Sequence, residues 1–123
     1  MLKSLIACLA LVTAAGAARA DEPIRTLLLT GHNNHNWQYT SRVHAETLGD
    51  TGRFAVTISD DPARTLTQKP AKPWQLFVID YNDLQAPKRW GETAEKSFVQ
   101  AVSDGAGVAA VHSANNAFNG WKE

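Results

Sequence analysis

The sequence predicts a single α/β domain built on a parallel sheet of flavodoxin-like type. Three observations lead to this prediction: strand-like runs alternate with helical patterns, two of the runs are continuously apolar, and polar clusters follow three of the strands. The chain has 123 residues, a length that allows one domain. We expect the strand order 2-1-3-4 with right-handed crossovers.

The first half of the predicted domain consists of a strand, a helix and a second strand. Residues 25–30 contain three consecutive leucines and are predicted to form a strand buried on both faces. A helix is expected over residues 39–48, with Thr40 or Ser41 near its N-cap. Apolar and small or polar side chains alternate in residues 54–58, which indicates a half-buried strand.

The second half contains two more strands joined by a helix. Residues 60–62 are predicted to form a turn, and residues 65–73, which include two prolines, an irregular connection. The apolar run at residues 76–79 predicts the third strand. Residues 92–103 carry apolar side chains at helical spacing, and residues 107–111 are expected to form the fourth strand.

The N-terminal 20 residues have the pattern of a secretory signal peptide. Lys3 precedes the apolar residues 5–12, and the small residues 18–20 form an A-x-A site with cleavage expected before Asp21. The alternative is a lipidation box that makes Cys8 an acylated N-terminus. We therefore expect an exported protein, periplasmic or secreted, with no membrane association after the signal is removed.

The composition of the mature chain excludes several classes of function. Removing 20 residues leaves 103, with 10 basic and 12 acidic side chains, and this balance argues against nucleic-acid binding. The sole cysteine, Cys8, departs with the signal, so we expect no disulfide and no thiolate nucleophile. Residues 105–107 follow a helix rather than opening one, so no nucleotide-binding motif is present.

Polar clusters follow the first, third and fourth predicted strands, at residues 31–35, 80–82 and 112–116. The carboxyl ends of parallel strands lie at one edge of a sheet, and ligands bind beyond that edge. Since neighbouring strands are about 4.8 Å apart, the three clusters are expected to form one surface roughly 10 Å across. We call this surface the rim.

These clusters resemble the ThuA-like (trehalose utilisation) domain, a branch of the class I glutamine amidotransferase-like superfamily. The matching segments are residues 27–37, 78–82, 104–108 and 111–118. The resemblance implies a flavodoxin-like fold and a role in oxidised-sugar and disaccharide metabolism. Domains of this family are roughly twice as long as the mature chain, within the usual domain size range, so we expect a truncated N-terminal portion.

The rim carries three histidines with possible catalytic or metal-binding roles. His32 and His35 are two residues apart, and with His112 they form a candidate site for a divalent metal such as zinc. His112 is the candidate general acid or base, because an imidazole titrates near neutral pH. The alternative is that these side chains only bond neighbouring loops. The residues around Ser113 lack the glycines of a nucleophile elbow, and no cysteine nucleophile is present in this segment.

The remaining polar and aromatic side chains of the rim are candidates for binding a small carbohydrate. The predicted substrate-binding residues are Asn33, Asn34, Trp37, Asp80, Asn82, Asn115 and Asn116. The asparagine amides and the Asp80 carboxylate are expected either to bind sugar hydroxyls or to cap loop amides. Trp37 is expected either to stack on a sugar ring or to pack in the core. The sequence leaves open an exported enzyme acting by proton transfer, a non-catalytic carbohydrate-binding module and an inactive fragment.

The predicted signal peptide can be tested on the exported protein. Mass spectrometry is expected to show Asp21 as the mature N-terminus, because the small residues before it fit signal peptidase. A protein that begins at an acylated Cys8, or that stays full-length in the cytoplasm, would contradict this prediction.

Overall fold

A parallel sheet of four strands runs through the part of the chain that the structure, a computed structural model, describes: residues 22–84, 89–118 and 121–122. The strands are β1 (Ile24–Leu29), β2 (Phe54–Ser59), β3 (Leu76–Ile79) and β4 (Gly107–Ala110). Their order is β2-β1-β3-β4, and every pairing is parallel. The predicted flavodoxin-like α/β arrangement is confirmed. The predicted signal peptide lies outside the described residues.

Helices cover both faces of the sheet. They are α1 (Trp37–Gly49), α2 (Pro62–Thr67) and α3 (Glu92–Ser103), and a short 3-10 helix (His112–Asn116) follows β4. The helices α2 and α3 pack against one face, whereas α1 lies on the other. This arrangement follows from right-handed crossovers, because the chain moves one way from β1 to β2 and the opposite way from β2 to β3.

The main core lies between the sheet and the pair α2 and α3. Leu27, Leu29 and Phe77 have no exposed surface, and they pack with Leu66 of α2 and Ala94 of α3. Each large side chain buried in this way contributes about 1.5–3 kcal/mol of transfer free energy. The core therefore fixes the strands whose carboxyl ends carry the rim.

Helix α1 begins earlier than the sequence predicts. Its N-cap is Asn36, whose side-chain oxygen accepts a hydrogen bond from the Tyr39 amide at 3.2 Å. The prediction of Thr40 or Ser41 near the cap was wrong, since both lie inside the helix. Ser41 is buried and donates to the Trp37 carbonyl at 2.6 Å.

Helix α2 replaces the turn and part of the irregular connection that the sequence predicts. Asp61 is its N-cap and accepts a hydrogen bond from the Arg64 amide at 3.1 Å. Pro62 takes the first helical position, where its missing N–H costs nothing. Six residues are too few to show helical periodicity, so Asp61 and Pro62 were the only local signal for this helix.

The strand β4 is an open edge in the described residues. It pairs with β3, and all four of its residues are exposed, including Val108 at 45%. Within the same described ranges no helix is long and apolar enough to cross a membrane.

Gly31 closes β1 and allows the first polar cluster to turn away from β2. Its φ is +101°, and a Cβ there would lie 1.9 Å from the Asp60 carbonyl oxygen. Gly52 also has a positive φ, +69°, but a Cβ there would meet nothing within 4 Å. Gly52 is therefore a matched control for the clash at Gly31.

We predict that Gly31→Ala lowers the free energy of unfolding by more than about 3 kcal/mol, because backbone must move to relieve the clash. Gly52→Ala is expected to cost only about 1–2 kcal/mol, the usual cost of a left-handed backbone in a non-glycine residue. Urea melts of both variants measure the difference. Equal losses would show that the contact with Asp60 imposes no constraint.

Candidate functional site

The three polar clusters of the rim meet at the carboxyl edge of the sheet. The Asn82 amide donates to the His32 carbonyl at 2.8 Å, which joins the clusters after β1 and β3. The side-chain amide of Asn82 donates to the Ser113 carbonyl at 3.0 Å, which joins the clusters after β3 and β4. The convergence predicted from strand order is therefore present, and these cross-links hold it together.

The lower layer of the rim is centred on a buried carboxylate. Asp80 is 3% exposed, and its two oxygens accept hydrogen bonds from Asn33 Nδ2 and Thr40 Oγ1, each at 2.7 Å. Asn33 also accepts a hydrogen bond from the His35 amide at 3.1 Å through its side-chain oxygen. Thr40 was missed as a rim residue, since its sequence position suggested a helix cap.

Asn82 and His32 complete this lower layer. Asn82 is 2% exposed, and its side-chain oxygen accepts from the Leu84 amide at 2.9 Å. His32 Nδ1 bonds the Asn82 carbonyl oxygen, and the His32 ring lies 5.8 Å from the ring of Tyr81. Because a carbonyl only accepts, Nδ1 of His32 must carry the proton. One nitrogen of His32 is therefore already used within the protein.

The upper layer of the rim is exposed and contains the other two histidines. The rings of His35 and His112 lie 5.2 Å apart between centroids, with their planes at 47°. Ser113 Oγ donates to Asn34 Oδ1 at 3.4 Å, across the same gap between the first and third clusters. Asn115 is exposed on the 3-10 helix. These side chains are placed where a ligand can reach them.

The other two predicted binding residues lie beside this layer. Asn116 is exposed at the end of the 3-10 helix, and Trp37 is half-buried at the first position of α1. The seven predicted substrate-binding residues thus divide by depth. Asn33, Asp80 and Asn82 are tied to other parts of the protein, whereas the remaining four are exposed or half-exposed at the rim.

His112 has an unusual backbone conformation. Its φ is +49°, in the left-handed region that non-glycine residues rarely adopt. Such conformations cost about 1–3 kcal/mol and persist where the surrounding structure holds them, often at functional sites. The conformation occurs directly after β4, where the chain enters the 3-10 helix.

Of the three histidines predicted to bind a metal, two lie close together and the third is bonded elsewhere in the rim. His35 and His112 face each other, while His32 is bonded to Asn82. Across the described ranges no three His, Cys, Asp or Glu side chains form a group that could hold a metal ion. The metal prediction stays a prediction, and the two facing histidines are the part that the geometry brings together.

An aromatic cluster supports the rim from the α3 side. The Tyr81 ring stacks on Phe118 at 5.4 Å, and Trp90, which is 5% exposed, packs edge-on against both. Asp83 accepts a hydrogen bond from the Phe118 amide at 2.7 Å, and Phe118 has a positive φ of 58°. Trp90 therefore serves packing, and Asp83 anchors the chain just after the third cluster.

An ion pair closes this aromatic cluster at its surface. Arg89 donates to both carboxylate oxygens of Glu95, at 2.7 and 2.6 Å, and its guanidinium lies 4.9 Å from the Trp121 ring centroid. The hydrogen bonds from Arg89 lower the pKa of Glu95. Bidentate geometry of this kind orients the segment before α3.

The fold and the rim define a flavodoxin-like α/β protein with a polar site at the carboxyl edge of its sheet. A solved structure of a protein described as ThuA-like, from Parabacteroides merdae ATCC 43184, is similar to this chain, with 37% sequence identity and a TM-score of 0.66. The match covers 80% of this chain and 36% of that one, so the chain spans about a third of that protein. This likeness supports the ThuA-like family. No protein-family model and no curated protein matches the chain.

The buried phenol of Tyr81 gives a testable pH dependence. Burial, reinforced by the nearby Asp83 carboxylate, raises the pKa of Tyr81 from 10.0 to about 12. Because the folded-state pKa is the higher one, the stabilisation is complete below about pH 10 and is lost as the pH rises to about 12. We predict that the free energy of unfolding falls in this window.

Urea melts at about pH 9 and about pH 11.5 measure this loss. The Tyr81→Phe variant is expected to lose less stability between the two conditions than the wild type, because it lacks the ionising group. Tyr39, which is 58% exposed, provides the control, and Tyr39→Phe should behave as the wild type does. An unchanged pH dependence in Tyr81→Phe would contradict the role of Tyr81.

Proposed function

We propose that this chain is an exported member of the ThuA-like family that acts on a keto-sugar or oxidised disaccharide by proton transfer at the rim. The 37% identity to a ThuA-like protein and the resemblance of the rim segments support the family. The sugar chemistry rests on what that family resemblance implies. The near-neutral charge of the chain is compatible with a neutral ligand.

The observation that carries the proposal is the exposed pair of His35 and His112 above a buried hydrogen-bonded layer. Their ring centroids are 5.2 Å apart, so both imidazoles can reach one small ligand. Imidazole exchanges protons near neutral pH, which suits it to general acid–base catalysis. Asn34 and Asn115 beside the pair offer amide donors and acceptors to sugar hydroxyls.

The proposed step moves one proton and one electron pair. His112 takes a proton from the carbon beside the carbonyl group, and the C–H electron pair moves to form an enolate with its charge on the carbonyl oxygen. His35, in its protonated form, donates a hydrogen bond to that oxygen. A second step completes an isomerisation. His35 gives its proton to the enolate oxygen and takes the proton of the hydroxyl group on the adjacent carbon, which becomes the new carbonyl, while His112 returns its proton to the former carbonyl carbon.

The lower layer of the rim is proposed to orient the upper one. Asp80 holds Asn33, and Asn33 holds the His35 backbone, so the imidazole leaves the first cluster from a fixed point. Asn82 binds the Ser113 carbonyl next to His112. Preorganisation of this kind lowers the entropic cost of reaching the reactive geometry.

A non-catalytic carbohydrate-binding role is the second candidate. Apart from the two histidines, the exposed side chains of the rim clusters include the amides of Asn34, Asn115 and Asn116, and the hydroxyl of Ser113 is half-buried beside them. Such groups bind sugar hydroxyls but transfer no proton at neutral pH. This composition favours carbohydrate binding even if His112 has no acid–base role.

Deuterium exchange separates the two functions. The protein is incubated in D2O with a panel of ketoses and keto-disaccharides, and proton NMR follows loss of the signal beside the carbonyl group. We predict exchange that His112→Ala slows by at least about a hundredfold, the usual contribution of a general base. His44→Ala, at a half-buried position within α1 and away from the rim clusters, is the control and should retain the wild-type rate.

Sugar binding is measured on the same samples, because it is needed to interpret the deuterium exchange. Binding of a ketose or of trehalose without exchange would support the carbohydrate-binding role and contradict the proton transfer. Exchange that survives His112→Ala would remove His112 from the mechanism. Neither binding nor exchange with any sugar would contradict the proposed function as a whole.

A further inference from the structure

We propose that a second site at the carboxyl edge of the sheet binds one ring of a small neutral polyol through neighbouring hydroxyl groups. The site is a cavity of about 310 Å³ on the side of the sheet that α2 and α3 cover. Neither His35 nor His112 lines it, so the inference goes beyond the proposed function. We call it the α2 cavity, and the lining residues that matter here are Gly31, Asp60, Asp61, Tyr81, Arg89 and Trp90.

The position of the α2 cavity follows from the order of the strands. The chain leaves β1 toward α1 on one face of the sheet, and it leaves the neighbouring β3 toward α3 on the other face. The segments after these two strands therefore diverge, and ligands of open α/β sheets bind in the crevice at such a point. Gly31 follows β1, Tyr81 follows β3, and both line the cavity.

The walls of the α2 cavity are held in place by contacts within the protein. Gly31 and Asp60 approach so closely that a Cβ on Gly31 would lie 1.9 Å from the Asp60 carbonyl oxygen. Tyr81 and Trp90 are buried, with their ring centroids 5.5 Å apart. A bidentate ion pair with α3 holds Arg89. A site whose walls are already ordered loses little entropy when a ligand binds.

One wall of the cavity offers hydrogen-bond acceptors. The Asp60 carboxylate is exposed and has no hydrogen-bond or ion-pair partner among the described residues. Asp61 uses one carboxylate oxygen as the N-cap of α2, where it accepts from the Arg64 amide at 3.1 Å. Ionised carboxylates accept hydrogen bonds but donate none. A ligand must therefore bring hydrogen-bond donors to this wall.

Trp90 supplies a hydrogen-bond donor that the protein itself does not use. Its indole Nε1 is buried, and no described residue accepts a hydrogen bond from it. The aromatic contacts of Trp90 account for the burial of the ring but leave this N–H without an acceptor, which costs free energy. Because the Trp90 side chain lines the cavity, an oxygen of a bound ligand can provide the missing acceptor.

This combination of groups selects the class of ligand. A hydroxyl group both donates and accepts, so neighbouring hydroxyls of one ring can donate to Asp60 and accept from Trp90. An ammonium group has no acceptor for Trp90, and a phosphate or carboxylate has the same charge as Asp60 and Asp61. The volume of about 310 Å³ is at the lower end of the range for ligand cavities, which indicates a single ring.

Nitrogen-edited NMR of the full chain tests the proposal. The probes are myo-inositol, a ring polyol without a carbonyl group, and D-glucose. The four tryptophans give four indole N–H signals, and the signal missing from Trp90→Phe belongs to Trp90. We predict that either polyol at millimolar concentration moves this signal downfield, because the N–H gains an acceptor. The indole signal of Trp74, which does not line the cavity, should stay in place.

Two variants and two matched controls measure the contribution of the cavity. Asp60→Ala and Trp90→Phe should each weaken polyol binding by about tenfold, the loss expected for one hydrogen bond, as followed by the amide signal of Gly31. Asp50→Ala removes an exposed carboxylate at the end of α1, and Trp74→Phe removes another indole N–H. Both should bind as the parent does. Thermal melts identify any variant that does not fold.

Three results would overturn the proposal. The first is a Trp90 indole signal that neither polyol moves. The second is a signal that moves with methylammonium chloride instead, which would contradict the neutral ligand. The third is an equal loss of affinity in Asp60→Ala and Asp50→Ala, which would place binding outside the cavity.

The α2 cavity and the proposed proton transfer can fail independently. His112→Ala should bind myo-inositol as the parent does, because His112 does not line the cavity. Asp60→Ala should leave the rate of deuterium exchange unchanged. Loss of polyol binding in His112→Ala would contradict a separate site, whereas the absence of deuterium exchange beside an intact Trp90 response would contradict only the proposed function.

Discussion

The burial of the Asp80 carboxylate is the constraint on which the rim depends. A charged group removed from water must be met by hydrogen-bond donors, and here Asn33 and Thr40 provide them. These donors come from the segment after β1 and from α1, while Asp80 follows β3. One carboxylate therefore joins the end of β3 to the segment after β1 and to α1, which lie 47 and 40 residues earlier in the sequence.

Depth separates two kinds of polar residue at the carboxyl edge of the sheet. Asn33, Asp80 and Asn82 direct their polar atoms at other protein groups, so their contribution is to the shape of the site. His35 and His112 lie above them and face solvent. Histidine and asparagine occur in both layers, so residue type alone does not reveal which layer a side chain occupies.

Much of the fold was predictable because it depends on local apolar patterns. The leucines of β1, the apolar run of β3 and the spacing within α3 each indicate one element, and strand order follows from the crossover rule. Helix α2 was missed because one and a half turns carry no periodicity. The position of His32 was not predictable either, since it depends on a carbonyl 50 residues further along the chain.

The open edge at β4 determines which of its backbone amides are exposed to solvent. The amide of Gly107 bonds the carbonyl of Gln75, just before β3, and the amide of Val111 bonds the carbonyl of Ile79 at the end of β3. Since successive residues of a strand point their N–H groups to opposite sides, the amides of Val108 and Ala110 face outward. Amide hydrogen exchange along this strand should therefore alternate, with slow residues facing β3 and fast residues between them. A strand that paired with this edge would slow the hydrogen exchange of these two amides only.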